Sequence, residues 1–210
     1  MAIVWPCPLP VDAYVAAGSR VEFPRPDCPS CAGPLVFWSG YRRYVRVAGR
    51  CQKIFVARVR CGRCRVTHAL LPAFVLAGRL DAVEVVGAVV EEVAGGRGGV
   101  RPVAARLGVP HTTARGWVRR FQARARDLGV AFAALAVDLG GEAIRPAANV
   151  ARFALAAIAA AFDAACGLPG WFQLGRWRFA CAVSGGRLVA ANTTSPYLVV
   201  GRRRFMPPVP

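Results

Sequence analysis

Through residue 26 the apolar and polar positions follow no period, and five prolines interrupt them, which predicts an extended arm over residues 1–26. From residue 27 to 72 the pattern turns β-like. Leu35–Trp38, Tyr41–Val47 and Ile54–Arg60 have strand composition, and Ser39-Gly40 and Ala48-Gly49 supply the turns between three predicted strands. Residues 79–126 then take up a helical period and read as three helices. In the first, Asp81 and Glu84 have the spacing of a capping box. Ala82, Val85, Val86, Val89, Val90 and Val93 form its apolar stripe, and the glycine-rich run Gly95–Gly99 ends it. That run lacks the GK[ST] ending of a phosphate loop, so it reads as a flexible turn.

The next two helices are short and close together. Pro102 suits the first turn of a helix whose inner face is Val103, Ala104 and Leu107. Gly108 can take the positive φ of a sharp turn, and Val109 plugs the corner. A following helix over residues 111–124 buries Ala114, Trp117, Val118 and Phe121 and leaves Thr112, Thr113, Arg115, Gly116, Arg119 and Arg120 outside. Two helices, a short glycine-containing turn and an exposed Arg/Thr face predict a helix-turn-helix, whose second helix enters the DNA major groove. Residues 127–200 open with Ala-rich helical stretches. Leu128–Val137 and Phe153–Phe162 are each about half the roughly 20 residues a membrane span needs, and read as a buried helical hairpin. Asn149–Ala165 reads as a helix with Phe153, Ala157, Ala160 and Ala164 on one side. Phe179–Val183 and Arg187–Ala191 flank Gly185-Gly186 as a predicted β-hairpin, and Trp171, Trp177 and Phe179 read as core. Residues 201–210 form a basic, Pro-rich tail. The expected fold class is therefore α+β and mainly helical, with a small β unit ahead of a three-helix unit and an Ala-rich helical region.

Charge sharpens the picture. The 210 residues carry 28 Lys+Arg against 11 Asp+Glu, a net charge of +17, and Lys53 is the sole lysine. Such an excess favours a polyanionic partner, and arginine's rigid fork suits phosphates and base edges. Between Ser39 and Arg65 stand nine basic residues and no acid, and between Val93 and Arg126 eight arginines and no acid. Thr112, Arg115 and Arg119 are the candidate base contacts. Arg101, Arg106, Arg120 and Arg124, with Arg42, Arg43, Arg58 and Arg60 from the β unit, are the candidate phosphate contacts. For His111 a phosphate contact and plain exposure stand equally open. The partner is double-stranded DNA, with a homodimer through the C-terminal region and no membrane. The expected location is cytoplasmic and nucleoid-associated, since no basic start or long apolar run marks a secretory signal.

The cysteines carry the most specific signal. Cys28-Pro-Ser-Cys31 and Cys61-Gly-Arg-Cys64 are two CxxC pairs 29 residues apart. Each can fold into a knuckle with two thiolates aimed at one ion, and together they predict a closed, structural zinc site in a zinc ribbon over residues 27–72. Cys51 and His68 are alternative ligands. Cys7, Cys51, Cys166 and Cys181 read otherwise as small buried hydrophobes.

The order of these motifs resembles a known grouping. Cys28-Pro-x-Cys31, Trp38-x-Gly40-x-x-Arg43, Arg58-x-Arg60-Cys61-x-x-Cys64-x-x-Thr67-His68-Ala69-Leu70-Leu71-Pro72 and Leu107-Gly108-Val109-Pro110-x-Thr112-Thr113-x-Arg115-x-Trp117-x-Arg119-Arg120 look like an uncharacterised family of bacterial zinc-ribbon/helix-turn-helix proteins from GC-rich genomes. They are also similar to the N-terminal DNA-binding region of insertion-sequence transposases. The resemblance implies DNA binding linked to a mobile element. Beyond the three-helix unit the acids are Asp127, Asp138, Glu142 and Asp163, too few and too dispersed for the carboxylate cluster of a two-metal transposase. The reading is a non-enzymatic, sequence-recognising DNA-binding protein, a transcription regulator or mobile-element accessory factor. Its alternatives are a nuclease or transposase remnant and a zinc-ribbon RNA-binding protein.

Overall fold

A computed structural model describes residues 2–47 and 49–189. The predicted Ala48-Gly49 turn lies in part, and the basic tail wholly, outside the described residues. The molecule is α+β, a four-stranded sheet joined to a layer of helices.

The sheet has the order β1-β4-β3-β2, with β1 (Ala2–Trp5) parallel to β4 (Thr67–Pro72) and the pairs β4/β3 and β3/β2 antiparallel. The first twenty-six residues are therefore not an extended arm. They contribute β1 and a short helix, α1 (Val11–Ala17), because their few large side chains have somewhere to go. Trp5 and Tyr14 are fully buried, Tyr14 meets Phe74 edge-on at 5.2 Å, and the Tyr14 hydroxyl donates to the Phe55 carbonyl at 2.9 Å. Burial pushes the Tyr14 phenol well above its ordinary pKa.

The predicted break at Ser39-Gly40 is also corrected. β2 runs unbroken over Leu35–Val47 against β3 (Arg50–Cys61), and the irregularity is a bulge at Trp38, where the register shifts between Phe37 and Ser39. Gly40 is there for room, since a Cβ would lie about 2.0 Å from the Phe55 ring.

Helix α2 (Val83–Ala94) starts one residue later than the capping-box reading places it. Asp81 is not its cap. Its carboxylate pairs with Arg46 at 2.6 and 3.1 Å, and Ala82 occupies the N-cap without a side-chain bond. The stripe of α2 turns accordingly, burying Val83, Val86, Val89, Val90 and Ala94. α3 (Val100–Arg106) buries Val103 and Ala104, and a turn through Gly108 (φ +63°) and buried Val109 leads into α4. α4 runs over His111–Asp138, so the expected boundary at residue 126 falls inside one helix of 28 residues. Ala114, Trp117, Val118 and Phe121 are all buried along it, as the period predicts.

Asn149 caps α5 (Val150–Ala165), its Oδ1 accepting from the Ala151 and Arg152 amides at 3.1 Å. The apolar stretches do not form a hairpin. Gly129 lies against Phe153 and Ala154, and Gly141, just past α4, lies against Ala164. The order is the same along both helices, so α5 runs beside α4 in the same sense. Residues 139–149 return along them. The buried stripe of α5 is Ala151, Ala154, Ala157, Ile158, Ala161 and Ala165, with Phe153 beside it, while Ala160 and Ala164 are half-exposed. The predicted C-terminal hairpin is replaced by α6 (Arg176–Val183), whose Phe179 packs among Phe132, Phe162 and Trp171. That aromatic cluster outweighs the strand-like composition of the segment.

Four acids at the start of or along α2 join these parts. Asp81 holds Arg46 of β2, Glu84 holds Arg178 of α6 at 2.5 Å, Glu91 holds Arg176 of α6 at 2.8 Å and Glu92 holds Arg106 of α3. Desolvation alone would raise the Glu91 pKa, but Arg176, Arg97 and the Trp177 indole N–H hold it below the usual carboxylate range. Among the described residues no helix is long and apolar enough to cross a membrane.

The α4/α5 contact depends on a missing side chain. Gly129→Val should destabilise the protein by about 1–3 kcal/mol, because a Cβ would sit about 2.5 Å from the Phe153 ring. A urea-unfolding midpoint equal to that of the wild type would show that the contact is looser than described.

Candidate metal centre and basic surface

Each CxxC pair sits in a loop with the same backbone wiring. In the first, the Ala32 amide donates to the Cys28 carbonyl at 2.8 Å and the Cys28 amide to the Gly33 carbonyl at 2.8 Å. In the second, Arg65 donates to Cys61 at 3.1 Å and Cys61 to Val66 at 2.9 Å. The residue after each second cysteine, Ala32 (φ +55°) or Arg65 (φ +64°), takes the left-handed conformation that closes the loop. Neither is glycine, so the turns hold a strained backbone for which four converging sulfurs give a reason.

The four sulfurs lie within 4.8 Å of one another. Cys28 Sγ is 3.6 Å from Cys64 Sγ, and Cys31 Sγ is 3.4 Å from Cys61 Sγ. A tetrahedral thiolate shell with metal–sulfur bonds of about 2.3 Å places its sulfurs about 3.8 Å apart, so the set fits one ion with small outward adjustment. The Cys64 amide donates to the Cys61 sulfur at 3.4 Å and helps to draw its pKa down to about 6. A hydrogen bond to the Val66 amide lowers Cys64, but desolvation and the three neighbouring sulfurs push it up to about 12. So crowded a set ionises fully only when a cation shares it.

His68 is fully buried on β4 with its Nε2 3.6 Å from Cys28 Sγ, outside the sulfur cluster, and burial lowers its pKa. A neutral imidazole carrying its proton on Nε2 would donate to this sulfur from behind. Cys51 is exposed and pairs with Arg46 at the far end of the β2/β3 hairpin, ten residues or about 33 Å along β3 from Cys61, so it is neither a ligand nor a core residue. Cys7 and Cys181 are buried as expected, and Cys166 is half-buried.

The basic candidates divide by their partners. Arg106 is engaged by Glu92, and Arg43, half-buried, donates to the Arg79 carbonyl. Arg58 donates to Thr67 Oγ1 at 3.2 Å, and Arg60 reaches the Arg65 carbonyl at 3.4 Å while stacking 4.7 Å from the Trp38 ring. Thr112, Arg115 and Arg119 stand exposed on the N-terminal half of α4, and Arg42 and Arg101 are exposed as well. Arg120 is half-buried against Gly116, and Arg124 is also half-buried. His111 is half-buried at the start of the helix.

Arg79 was not anticipated. Burial and the nearby charge of Arg120 lower its pKa, and its carbonyl accepts from Arg43 of β2. The later acids Asp127, Asp138, Glu142 and Asp163 are all exposed. Sequence reasoning also missed that Val36, Phe37, Trp38, Tyr41 and Tyr44 of β2 are exposed. Their run of bulky residues shows strand propensity but not that β2 lies at the sheet edge with large side chains exposed on both faces.

A protein-family model described as "Domain of unknown function (DUF6431)" matches residues 28–105, from the first metal-site cysteine to the body of α3. No curated protein and no solved structure matches the chain. The matched segment is a little over a third of the sequence and stops before α4. It holds all four cysteines and their supporting histidine, and it names no activity.

Cobalt(II) titration into reduced, metal-stripped protein should give one equivalent of tetrahedral tetrathiolate, read by its visible d–d and charge-transfer bands. Cys28→Ser or Cys64→Ser should abolish the four-sulfur spectrum. Acidification should bleach it, because protons compete for every sulfur. Binding unaffected by either substitution would place the metal elsewhere.

Proposed function

We propose that the four cysteines hold one structural zinc ion in a zinc ribbon. We further propose that α3, the Gly108 turn and the first half of α4 act as a helix-turn-helix that reads double-stranded DNA. Four thiolates leave no open coordination position, so the ion stabilises the fold and does no chemistry. Reduced, closely paired cysteines favour zinc over a disulfide.

The observation that carries the DNA reading is the separation of charge. The acids of α2 are taken up by Arg46, Arg106, Arg176 and Arg178, whereas Thr112, Arg115 and Arg119 line one exposed side of α4 near its N-terminus. Arg115 and Arg119 are one helical turn apart, which suits two arginines addressing successive base edges in a major groove. Arg101, Arg120 and Arg124 flank them as phosphate contacts, and Arg42 extends the positive surface onto the ribbon. Arg43 and Arg106, engaged by protein partners, shape that surface rather than touch the duplex.

The resemblance to insertion-sequence DNA-binding regions fits a regulator or a mobile-element accessory factor, acting on the nucleoid without catalysis of its own. Two copies pairing through the C-terminal helices, where Val130 and Val137 stand exposed seven residues apart on α4, would offer two such helices to neighbouring half-sites.

The test is equilibrium binding to duplex DNA by fluorescence anisotropy across salt concentrations. The logarithm of the binding constant should fall linearly with the logarithm of salt, by about 0.9 per phosphate neutralised. Arg101→Ala should weaken all duplexes alike and lower that slope by about one. Salt-independent binding, or no duplex binding with zinc in place, would refute the reading.

A further inference from the structure

At the metal end of the sheet, the edge strand β2 leaves large side chains uncovered, Phe37 on one face and a basic patch on the other. The antiparallel register sets Val36 opposite Arg60 and Ser39 opposite Arg58 on that second face, and Tyr41 stands on it where the patch ends, opposite the fully buried Val56. Leu35 and Cys61 pair on the other face, with the sulfur cluster. The bulge at Trp38 turns its ring to the basic side, where the Arg60 guanidinium lies 4.7 Å from it. Val36 and Trp38 are each 56% exposed and Tyr41 is 40% exposed. Beside them Gly40, Tyr41, Arg58, Thr67 and Ala69 line an open depression of about 350 Å³.

Large apolar side chains are seldom left together on a surface without a partner. The kind of partner follows from what surrounds them. Arg58 and Arg60 lie on this face and the exposed Arg63 and Arg65 in the adjoining cysteine loop, which disfavours a second copy of the same surface and favours a polyanion. A polyanion that also covers flat aromatic rings is a nucleic acid with unpaired bases, since the base faces of a duplex are already stacked on one another. Trp38 carries the Arg60 guanidinium above it, and Tyr41 and Arg58 both line the depression beside that pair.

We propose that this face, built on Trp38, Tyr41, Arg58 and Arg60, binds single-stranded DNA, with bases stacked on the two rings and phosphates held by the two arginines. The site is separate from the duplex-reading side of α4. Arg43 of β2 donates to the Arg79 carbonyl, and Arg79 lies within electrostatic reach of Arg120 on α4. The choice of DNA over RNA rests on the duplex-binding reading above; the existence of the stacking site does not.

The experiment uses the full-length, zinc-loaded protein and a labelled oligodeoxythymidylate of about 15 nucleotides, within the range such surfaces occupy. Binding should quench tryptophan fluorescence. Trp38→Ala should weaken it by about 5- to 150-fold, the range one stacked base supplies, and Trp38→Phe should restore most of the loss. Zinc content and circular dichroism report folding, which a half-exposed ring should not disturb. Arg115→Ala with Arg119→Ala should leave oligodeoxythymidylate binding unchanged, and Trp38→Ala should leave duplex binding unchanged. The two readings thus fail separately. Unaltered oligonucleotide affinity in Trp38→Ala would overturn the site, as would an equal loss on duplex. Tighter binding of oligouridylate would overturn the assignment to DNA.

Discussion

Convergence of four sulfurs fixes the geometry on which the rest of this protein is built. One cysteine loop precedes β2 and the other follows β3, and bringing them within 4.8 Å requires β2 to return on β3 in one register, with Leu35 beside Cys61. Once that register is set, the other end of the hairpin is set too. Arg46 arrives at Asp81, its amide and carbonyl bond to Leu80 and Ala82, and the start of α2 is fixed against the sheet. The metal site and the helices are about ten strand residues apart, yet β2 and β3 connect them as rigid rods.

From that junction α2 distributes the charge of the molecule. Its acids lie toward β2, α3 and α6 and are matched by arginines from each, so they hold separate elements together. The pairs of Glu91 and Glu92 are partly exposed and individually weak, so their effect is positional, whereas the Asp81 carboxylate is buried against Arg46. With those acids engaged, Thr112, Arg115 and Arg119 stand exposed on the first half of α4, within a stretch from Val93 to Arg126 that holds eight arginines and no acid.

Much of the candidate site was legible in the sequence because its signals are local. A CxxC spacing encodes a knuckle directly, and the period of Ala114, Trp117, Val118 and Phe121 encodes which side of α4 is buried. What was not legible depends on distant partners. The first twenty-six residues gave no period, since β1 and α1 are held by Phe74 and the Phe55 carbonyl rather than by their own pattern. Asp81 has the sequence of a cap, but Arg46, thirty-five positions away, claims its carboxylate. Residues 179–183 have strand composition, and an aromatic cluster with Phe132, Phe162 and Trp171 makes them helical. The exposure of β2 was invisible for the same reason: alternation shows that a strand has two faces, not that an edge position leaves large side chains bare on both.

The central claim is that the exposed side of α4 reads a DNA sequence. Selection of bound fragments from a pool of random duplexes by the zinc-loaded protein tests it most directly. The account predicts that wild-type protein enriches one motif, and that Arg115→Ala or Arg119→Ala relaxes preference at particular base pairs by about 1–3 kcal/mol each. No enriched motif, or the same motif with the same preference from both variants, would contradict it.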